Sequence, residues 1–444
     1  MRKSRVFVFV LCALLLGACQ PTPQVIHPTS VSSYEVGERE QVRVEKSISL
    51  DDGIQLVLSA SVNEPTGEFS QGKVEWQLID SNFVKNVASA FATDAVYFEA
   101  VETQSELTEA LLTYQEQLDA VRDKLSPADI QMLEGVIGDM QDALSAAREN
   151  EPIIPIDTVM TEQEAKIQTG NKNKAVLVIG DSNRKKFIRI SNYRWNDIMQ
   201  TNDASGAVSE DTAMQLGAGV LKELGFSDLF SLSAVRHTSS EYTLVASLAN
   251  QMGIINAPAD DRVELIYMRN IGGQKQVFSR QIEDGTTARE YDETVFWETI
   301  KMYFDNDGLV EFAWQQPCSI TLDSKENQPI SLETAVNAMT QFMEVSQNQY
   351  TYAPLAIDSK KVTIRIDSIE LGMTCIVGPD ETFLAVPVWE FYGNIEYINE
   401  DGDVKYTSIS GSNEGQILDE PIPYNSLCTI NALTGKRIDR SLGY

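Results

Sequence analysis

Two apolar stripes with helical spacing lie between segments that alternate like β-strands, so the chain must fold as a mixture of helices and sheets. The first stripe comprises Leu107, Leu111, Tyr114, Leu118, Val121 and Leu125. The second comprises Ile130, Leu133, Ile137, Met140, Leu144 and Ala147. Between them, Ser126, Pro127 and Asp129 form a helix start. We predict a long antiparallel helical hairpin over residues 104–149, whose stripes bury each other or pack on a sheet; the alternative is a stripe offered to a partner helix.

Strand-like segments lie on both sides of these helices. Residues 42–50 and 54–62 alternate with a period of two, and Asp51-Asp52-Gly53 between them supplies a turn, which predicts a β-hairpin. The run Ala175-Val176-Leu177-Val178-Ile179 predicts a further strand after the helices. We assign residues 39–205 to one β-rich domain that contains the helical hairpin.

The second half of the chain uses one arrangement twice, a helix followed by several strand-like segments. The two helices carry the apolar sets Ala213, Leu216, Val220, Leu224 and Leu332, Ala335, Met339, Phe342. We expect two helix-plus-antiparallel-sheet modules, at residues 206–325 and 326–444. The predicted fold class is therefore α+β: a β-rich N-terminal part with a long helical hairpin, followed by these two modules.

The N-terminus has the layout of an export signal. A basic start precedes an apolar run over residues 6–16. This run is shorter than the roughly 20 residues that a membrane-spanning helix needs. The ending Leu16-Gly17-Ala18-Cys19 resembles a bacterial lipobox, which implies that Cys19 is diacylated and becomes the first residue of the mature chain. The alternative is an ordinary signal peptide cut near Ala18, with Cys19 incidental.

From this leader we expect two consecutive segments, with the lipid on the first residue of the second. Residues 1–18 form a lipoprotein signal peptide, Cys19 carries the lipid, and residues 19–38 are a polar, proline-containing tether. The protein would then sit on the extracytoplasmic face of the cell membrane, anchored by burial of acyl chains.

Composition restricts the partners and the chemistry. The formal net charge of −30 opposes binding to nucleic acid and to anionic lipid headgroups. Only His27 and His237 are present, which leaves little for histidine-based zinc sites. We predict no metal and no cofactor. Cys318, Cys375 and Cys428 show no Cys-x-x-Cys spacing; the last two are either bridged or, as we favour, buried thiols.

One segment resembles a catalytic motif. A strand followed by Gly180-Asp181-Ser182 resembles the nucleophile block of SGNH esterases, in which the serine needs a histidine base. The only histidine downstream is His237, and Ala234 stands where the accompanying aspartate belongs. Because residues 186–190 look like a return strand, we interpret this motif as a hairpin turn. We interpret the acidic turns at 305–308 and 399–403 as hairpin turns as well.

The C-terminal residues resemble the closing hairpin of PepSY-like modules. Residues 427–439 give a strand, Asn431-Ala432, a Thr434-Gly435 turn and a short return, and residues 386–391 look like the preceding strand. With the lipobox, the whole chain is similar to uncharacterised lipoproteins of Gram-positive, clostridia-like bacteria. The resemblance implies an exported protein, and PepSY-like modules are thought to restrain peptidases or to sense the state of the envelope. No functional residue is carried over.

These observations favour a membrane-anchored, non-enzymatic binding or regulatory protein of the cell envelope. Its expected partners are the membrane, through Cys19, and an envelope protein or peptide. Two alternatives stay open: an esterase-like hydrolase that uses Ser182, and a carrier of an apolar ligand.

Overall fold

The computed structural model describes residues 42–51, 54–92, 94–168, 174–182, 185–191, 208–238, 262–279, 286–288, 293–305, 308–323, 327–351, 359–378, 382–407 and 418–439. Its helices are α1 (Ser81–Ser89), α2 (Gln104–Val121), α3 (Pro127–Ala146), α4 (Ile156–Glu162), α5 (Glu210–Glu223) and α6 (Leu332–Thr351). The strands up to residue 275 are β1 (Val42–Asp51), β2 (Ile54–Asn63), β3 (Gly72–Trp76), β4 (Tyr97–Phe98), β5 (Glu164–Gln168), β6 (Lys174–Asp181), β7 (Lys186–Ser191), β8 (Phe230–Thr238), β9 (Arg262–Ile271) and β10 (Gln274–Lys275). The later strands are β11 (Thr286–Ala288), β12 (Glu293–Val295), β13 (Thr299–Asp305), β14 (Gly308–Gln315), β15 (Cys318–Leu322), β16 (Ser359–Val377), β17 (Phe383–Asn399), β18 (Val404–Thr407), β19 (Ser426–Asn431) and β20 (Arg437–Ile438).

The first sheet joins the two ends of the described chain. Its main order is β1-β2-β16-β17-β19-β20, and β2 runs parallel to β16 whereas the other neighbours are antiparallel. One edge of the long strand β17 pairs with β16, and its other edge pairs in succession with β3, β19 and β18. Strand β15 pairs with the outer edge of β3. The predicted hairpin of β1 and β2 is confirmed.

The second sheet is antiparallel and occupies the middle of the chain. Its order is β4-β5-β6-β7-β14-β13-β9, and both β8 and β10 pair with β9. Strands β11 and β12 form a separate pair. The protein is thus a strand-rich α+β molecule with two large sheets, as the coarse fold class predicted.

The two sheets do not follow the boundaries expected from the sequence. Strands of the predicted domain 39–205 are divided, because β1 to β3 belong to the first sheet and β4 to β7 to the second. The predicted module 206–325 is divided as well, since β14 pairs with β7 and β15 pairs with β3. Strand edges are satisfied here by partners far away in sequence, which a local hydrophobic period does not encode.

Strand β9 shows how the sheets share their cores. On one of its faces Val263, Leu265 and Tyr267 pack with the cluster that includes residues of α1, α4 and α5. On the other face Ile266 and Met268 belong to the cluster shared by both sheets and α6. Alternating residues of one strand therefore contribute to two different cores.

Helices α2 and α3 share a small apolar cluster of their own: Tyr114, Leu118, Leu125, Leu133 and Ile137. The start of α2 is a capping box between Thr103 and Glu106. The predicted N-cap of α3 is confirmed, since the Asp129 N–H donates to Ser126 Oγ at 3.2 Å. Across the described ranges, no helix combines the length and the apolar character that crossing a bilayer requires.

Candidate functional site

The structure does not bring Ser182 and His237 together. Ser182 directly follows β6 at the turn of the β6–β7 hairpin, where its Oγ accepts a hydrogen bond from the Lys185 N–H at 3.1 Å. His237 lies on β8 and its Nε2 is 2.8 Å from Glu210 Oε1. Five strand spacings separate β6 from β8, which corresponds to about 24 Å along the sheet. The interpretation of the Gly-Asp-Ser motif as a hairpin turn is confirmed.

The cysteines behave as buried thiols where the structure describes them. Cys318, Cys375 and Cys428 are buried thiols that take part in no disulfide, so the bridged alternative for the last two is wrong. Burial is the main cause that raises the pKa of the Cys318 and Cys428 thiols, which keeps both protonated at neutral pH. Cys19, the predicted lipidation site, lies outside the described residues.

The two acidic turns connect paired strands, as predicted. Asp305 pairs with Gly308 between β13 and β14, and Gly308 has a φ of +115°. At the other turn, Asn399 Oδ1 accepts the Asp403 N–H at 2.8 Å. Among the residues whose structure is described, no group of three or more His, Cys, Asp or Glu side chains is arranged to hold a metal ion.

A buried lysine joins helix α2 to the second sheet. Lys166 on β5 donates from Nζ to Glu106 Oε1 at 2.6 Å, to Glu151 Oε1 at 3.1 Å and to the Val101 carbonyl at 2.8 Å. Lys174 on β6 also donates to Glu151. Burial by itself would raise the pKa of Glu151, but the hydrogen bonds from the two lysines outweigh it and the pKa is lowered. The role of these ion pairs is therefore structural.

A second buried ion pair lies where the two sheets meet. Glu298 accepts hydrogen bonds from both Nε and Nη2 of Arg269 on β9, and from Trp314 Nε1 on β14 at 3.0 Å. It also accepts the backbone N–H of Cys318, the first residue of β15 in the first sheet, at 3.2 Å. The Glu298 carboxylate thus accepts hydrogen bonds from donors in both sheets, so its role is structural.

A polar row crosses the first sheet from exposed Asn63 on β2, through half-buried Glu370, to buried Glu390 and Thr429. Glu370 on β16 lies directly opposite Asn63 of β2 and opposite Glu390 of β17, and Glu390 lies opposite Thr429 of β19. Glu390 is fully buried (0 % exposed) and accepts hydrogen bonds from Thr429 Oγ1 at 2.9 Å and from Ser426. No substrate can reach this carboxylate, so the facing glutamates do not form a hydrolase pair.

Sequence reasoning missed these two glutamates, although a signal was present. Each interrupts an apolar strand between two large side chains, in Ile369-Glu370-Leu371 and in Trp389-Glu390-Phe391. A charge in such a position is costly to bury unless it is paired or neutralised. Which two charges meet depends on strand register, and the sequence alone does not give that register.

Asn431, which the sequence left without a role, stabilises the C-terminal turn. Its Oδ1 accepts the backbone N–H groups of Leu433 at 2.9 Å and of Thr434 at 3.0 Å. The turn continues through Gly435, whose φ is +71°. A short polar acceptor at position 431 thus determines how β19 turns into β20.

Comparisons with known proteins leave the family open. No protein-family model matches the chain, and no curated protein matches it. Among solved structures, the chain is similar to an uncharacterised protein from Eubacterium rectale, with 9% sequence identity and a TM-score of 0.43. The match covers 89% of this chain and 93% of that chain. A score of this size does not establish a shared fold.

Proposed function

We propose that this protein is a lipid-anchored, non-enzymatic binding or regulatory protein of the cell envelope, held on the extracytoplasmic face of the membrane through Cys19. The observation that carries the proposal is the agreement between the basic and apolar leader and the position of Leu16-Gly17-Ala18-Cys19. The first described strand begins at Val42. The residues between Cys19 and that strand can span at most about 80 Å when extended.

The chemistry of the described residues supports binding over catalysis. The buried charged groups Lys166, Glu298 and Glu390 are each saturated by hydrogen bonds from the protein itself. Ser182 is about five strands away from His237. A catalytic constellation needs groups that converge at an accessible point, and these residues do not converge.

We also propose that residues 326–444 form a PepSY-like module. Its support is the succession of α6, β16, β17 and β19, which is a helix followed by antiparallel strands, together with the closing turn at Asn431. We likewise propose that α2 and α3 form an antiparallel helical hairpin over residues 104–149, supported by their shared apolar cluster.

Metabolic labelling with an alkyne fatty acid tests the anchor. The wild-type protein should be labelled and should partition into detergent, and Cys19→Ser should abolish both. Cys12→Ala is the matched control, because Cys12 lies in the same leader and should leave labelling intact. An unlabelled wild-type protein, or a labelled Cys19→Ser variant, would contradict the anchor.

A capture experiment tests the binding function and locates it. Residues 104–148, which contain α2 and α3, are here called the helical segment. The two ends of this segment are adjacent, since the Gln104 N–H donates to the Arg148 carbonyl at 2.9 Å. Residues 105–147 can therefore be replaced by a short linker with little strain on the sheet. Envelope proteins cross-linked to the wild-type body but not to this variant would place binding on the helices. Reproducible failure to cross-link any envelope protein or peptide to either form would count against the binding function.

A further inference from the structure

The polar row continues onto the segment that connects the two sheets. Residues 274–279, here called the connecting segment, begin as β10 beside β9 of the second sheet. The segment then reaches the first sheet, where the Val277 N–H donates to the Met373 carbonyl of β16 at 2.8 Å. Gly372 permits this approach, because a Cβ at that position would be 2.8 Å from the Lys275 carbonyl oxygen. The segment thus links both sheets beside Glu370.

One hydroxyl group holds the connecting segment next to the polar row. The Tyr392 hydroxyl donates to the Phe278 carbonyl at 2.7 Å, and the same oxygen is 3.4 Å from Glu370 Oε2. A phenol has a single hydrogen, so only one of these contacts can use Tyr392 as donor. The shorter distance places the hydrogen on the Phe278 carbonyl, and Glu370 competes for it most strongly when its carboxyl group carries no proton.

The groups around Glu370 favour that proton on balance. Burial is the largest cause that raises the pKa of Glu370, and the facing carboxylate of Glu390 adds to it. Lys275 on the connecting segment acts in the opposite direction, as do the hydrogen bonds from Tyr392 and Asn63. The net effect is a raised pKa.

Two further groups complete the surroundings of Glu370. Burial is the largest cause that raises the pKa of Tyr424; Arg236 of β8 acts in the opposite direction, and the nearby Glu370 adds to the increase. The ring of Tyr424 packs against Phe278 with 5.4 Å between ring centroids. The aromatic contact of Tyr424 with Phe278 and the Tyr392 hydrogen bond thus meet at one point of the connecting segment.

We propose that Glu370 and Tyr392 form a pH-sensitive clamp on the connecting segment. While Glu370 carries its proton, Tyr392 donates to the Phe278 carbonyl and the segment stays on the first sheet. When Glu370 releases that proton to water, its carboxylate draws the Tyr392 hydrogen, because a hydrogen bond to a charged acceptor is the stronger one. The Phe278 carbonyl then loses its donor, and two carboxylates face each other across β16 and β17. The new charge attracts Lys275 at the start of the segment, so the loosening is centred on residues 277–279.

Hydrogen exchange of residues 274–279 tests the clamp, measured from about pH 5 to about pH 8 and corrected for the intrinsic pH dependence. In the wild-type protein the protection of the Val277 N–H should fall roughly tenfold on raising the pH, as expected for the loss of one buried hydrogen bond. Glu370→Gln should remove this dependence and stay protected. Tyr392→Phe should lower protection at every pH. The control Glu344→Gln, on the exposed side of α6, should behave like the wild type.

Infrared spectroscopy provides a readout that does not depend on exchange. In the wild-type protein a protonated carboxyl band should persist above the pH at which ordinary carboxyl groups ionise, and Glu370→Gln should lack it. Absence of such a band in the wild type would overturn the proposal even if the variant failed to fold. An unchanged pH dependence in a folded Glu370→Gln variant would overturn it as well.

Discussion

Lys166 and Glu151 form a buried ion pair, with 3.1 Å between Nζ and Oε1 and side-chain exposures of 9% and 5%. The same ammonium contacts Glu106 in the first turn of α2. Because Glu151 follows α3 in the chain, one lysine of the second sheet fixes both ends of the helical segment. This contact explains why a pair of helices with a core of its own keeps a defined position at the sheet edge.

Lys166→Met should destabilise the protein by about 3 kcal/mol, since it leaves the Glu151 carboxylate buried without one of its partners. Urea denaturation measures the loss, and faster hydrogen exchange in α2 and α3 should accompany it. Lys73→Met is the matched control, because the Lys73–Glu75 pair lies on the exposed surface and should leave unfolding unchanged. Equal effects of the two substitutions would contradict the structural role of Lys166.

The ion pair also predicts a dependence on acid. The pKa of Glu151 is lowered in the folded protein. Its contribution to stability is therefore present above the ordinary glutamate value of roughly 4.3 and is lost as the pH falls through the folded value. Acid titration of the wild type and of Glu151→Gln should show a steeper loss in the wild type. Parallel curves would show that the pair is not ionised.

The buried thiols should be unreactive towards thiol reagents in the native protein. A chain that starts after Cys19 has three cysteines, and an aromatic disulfide reagent should react with none of them at neutral pH until denaturant is added. All three should then react, which mass spectrometry counts directly. Recovery of a peptide in which a disulfide joins Cys375 to Cys428 would contradict the assignment of both as unbridged thiols.

The side chain of Asn431 should be replaceable only by another short acceptor. Asn431→Ala removes the acceptor for two backbone N–H groups and should cost about 1 kcal/mol of stability. Asn431→Asp keeps an oxygen in the same place and should unfold like the wild type in thermal denaturation. If aspartate is as harmful as alanine, the hydrogen bonds to Leu433 and Thr434 are not what stabilises the turn.

Glycines in two positions should respond in opposite ways to alanine. At Gly393 a Cβ would overlap the Arg365 carbonyl oxygen of the neighbouring strand, so Gly393→Ala should cost at least about 3 kcal/mol. At Gly135, inside α3, a Cβ meets nothing within 4 Å, so Gly135→Ala should stabilise the protein by about 0.5–1 kcal/mol. Thermal denaturation measures both, and a harmless Gly393→Ala would show that β16 and β17 can separate there.

Local patterns in the sequence were sufficient for the elements themselves. The β1–β2 hairpin, the N-cap of α3 at Ser126 and the turn at Ser182 all follow from period, capping chemistry and turn residues within a few positions. Such features depend on neighbours in the chain, so no knowledge of the tertiary structure is needed.

The way in which those elements pair could not be predicted from local patterns. Pairing of Ile54 with Val362, or of Phe312 with Ile190, joins segments that share no sequence signal. For this reason both sheets contain strands from either side of the expected boundary at residue 205 or 325. The polar row could not be predicted from the sequence for the same reason, since Glu370 and Glu390 become neighbours only through the register of β16 and β17.

The parallel contact between β2 and β16 has a consequence for biosynthesis. A ribosome delivers Ile54 on the order of 15–60 s before Val362 at roughly 5–20 residues per second, so the hairpin at the front of the chain emerges long before the strand it adjoins. During that interval its backbone edge is open to other nascent chains. The first sheet is therefore the last to close, and agents that shield such edges should raise the yield of the newly made protein.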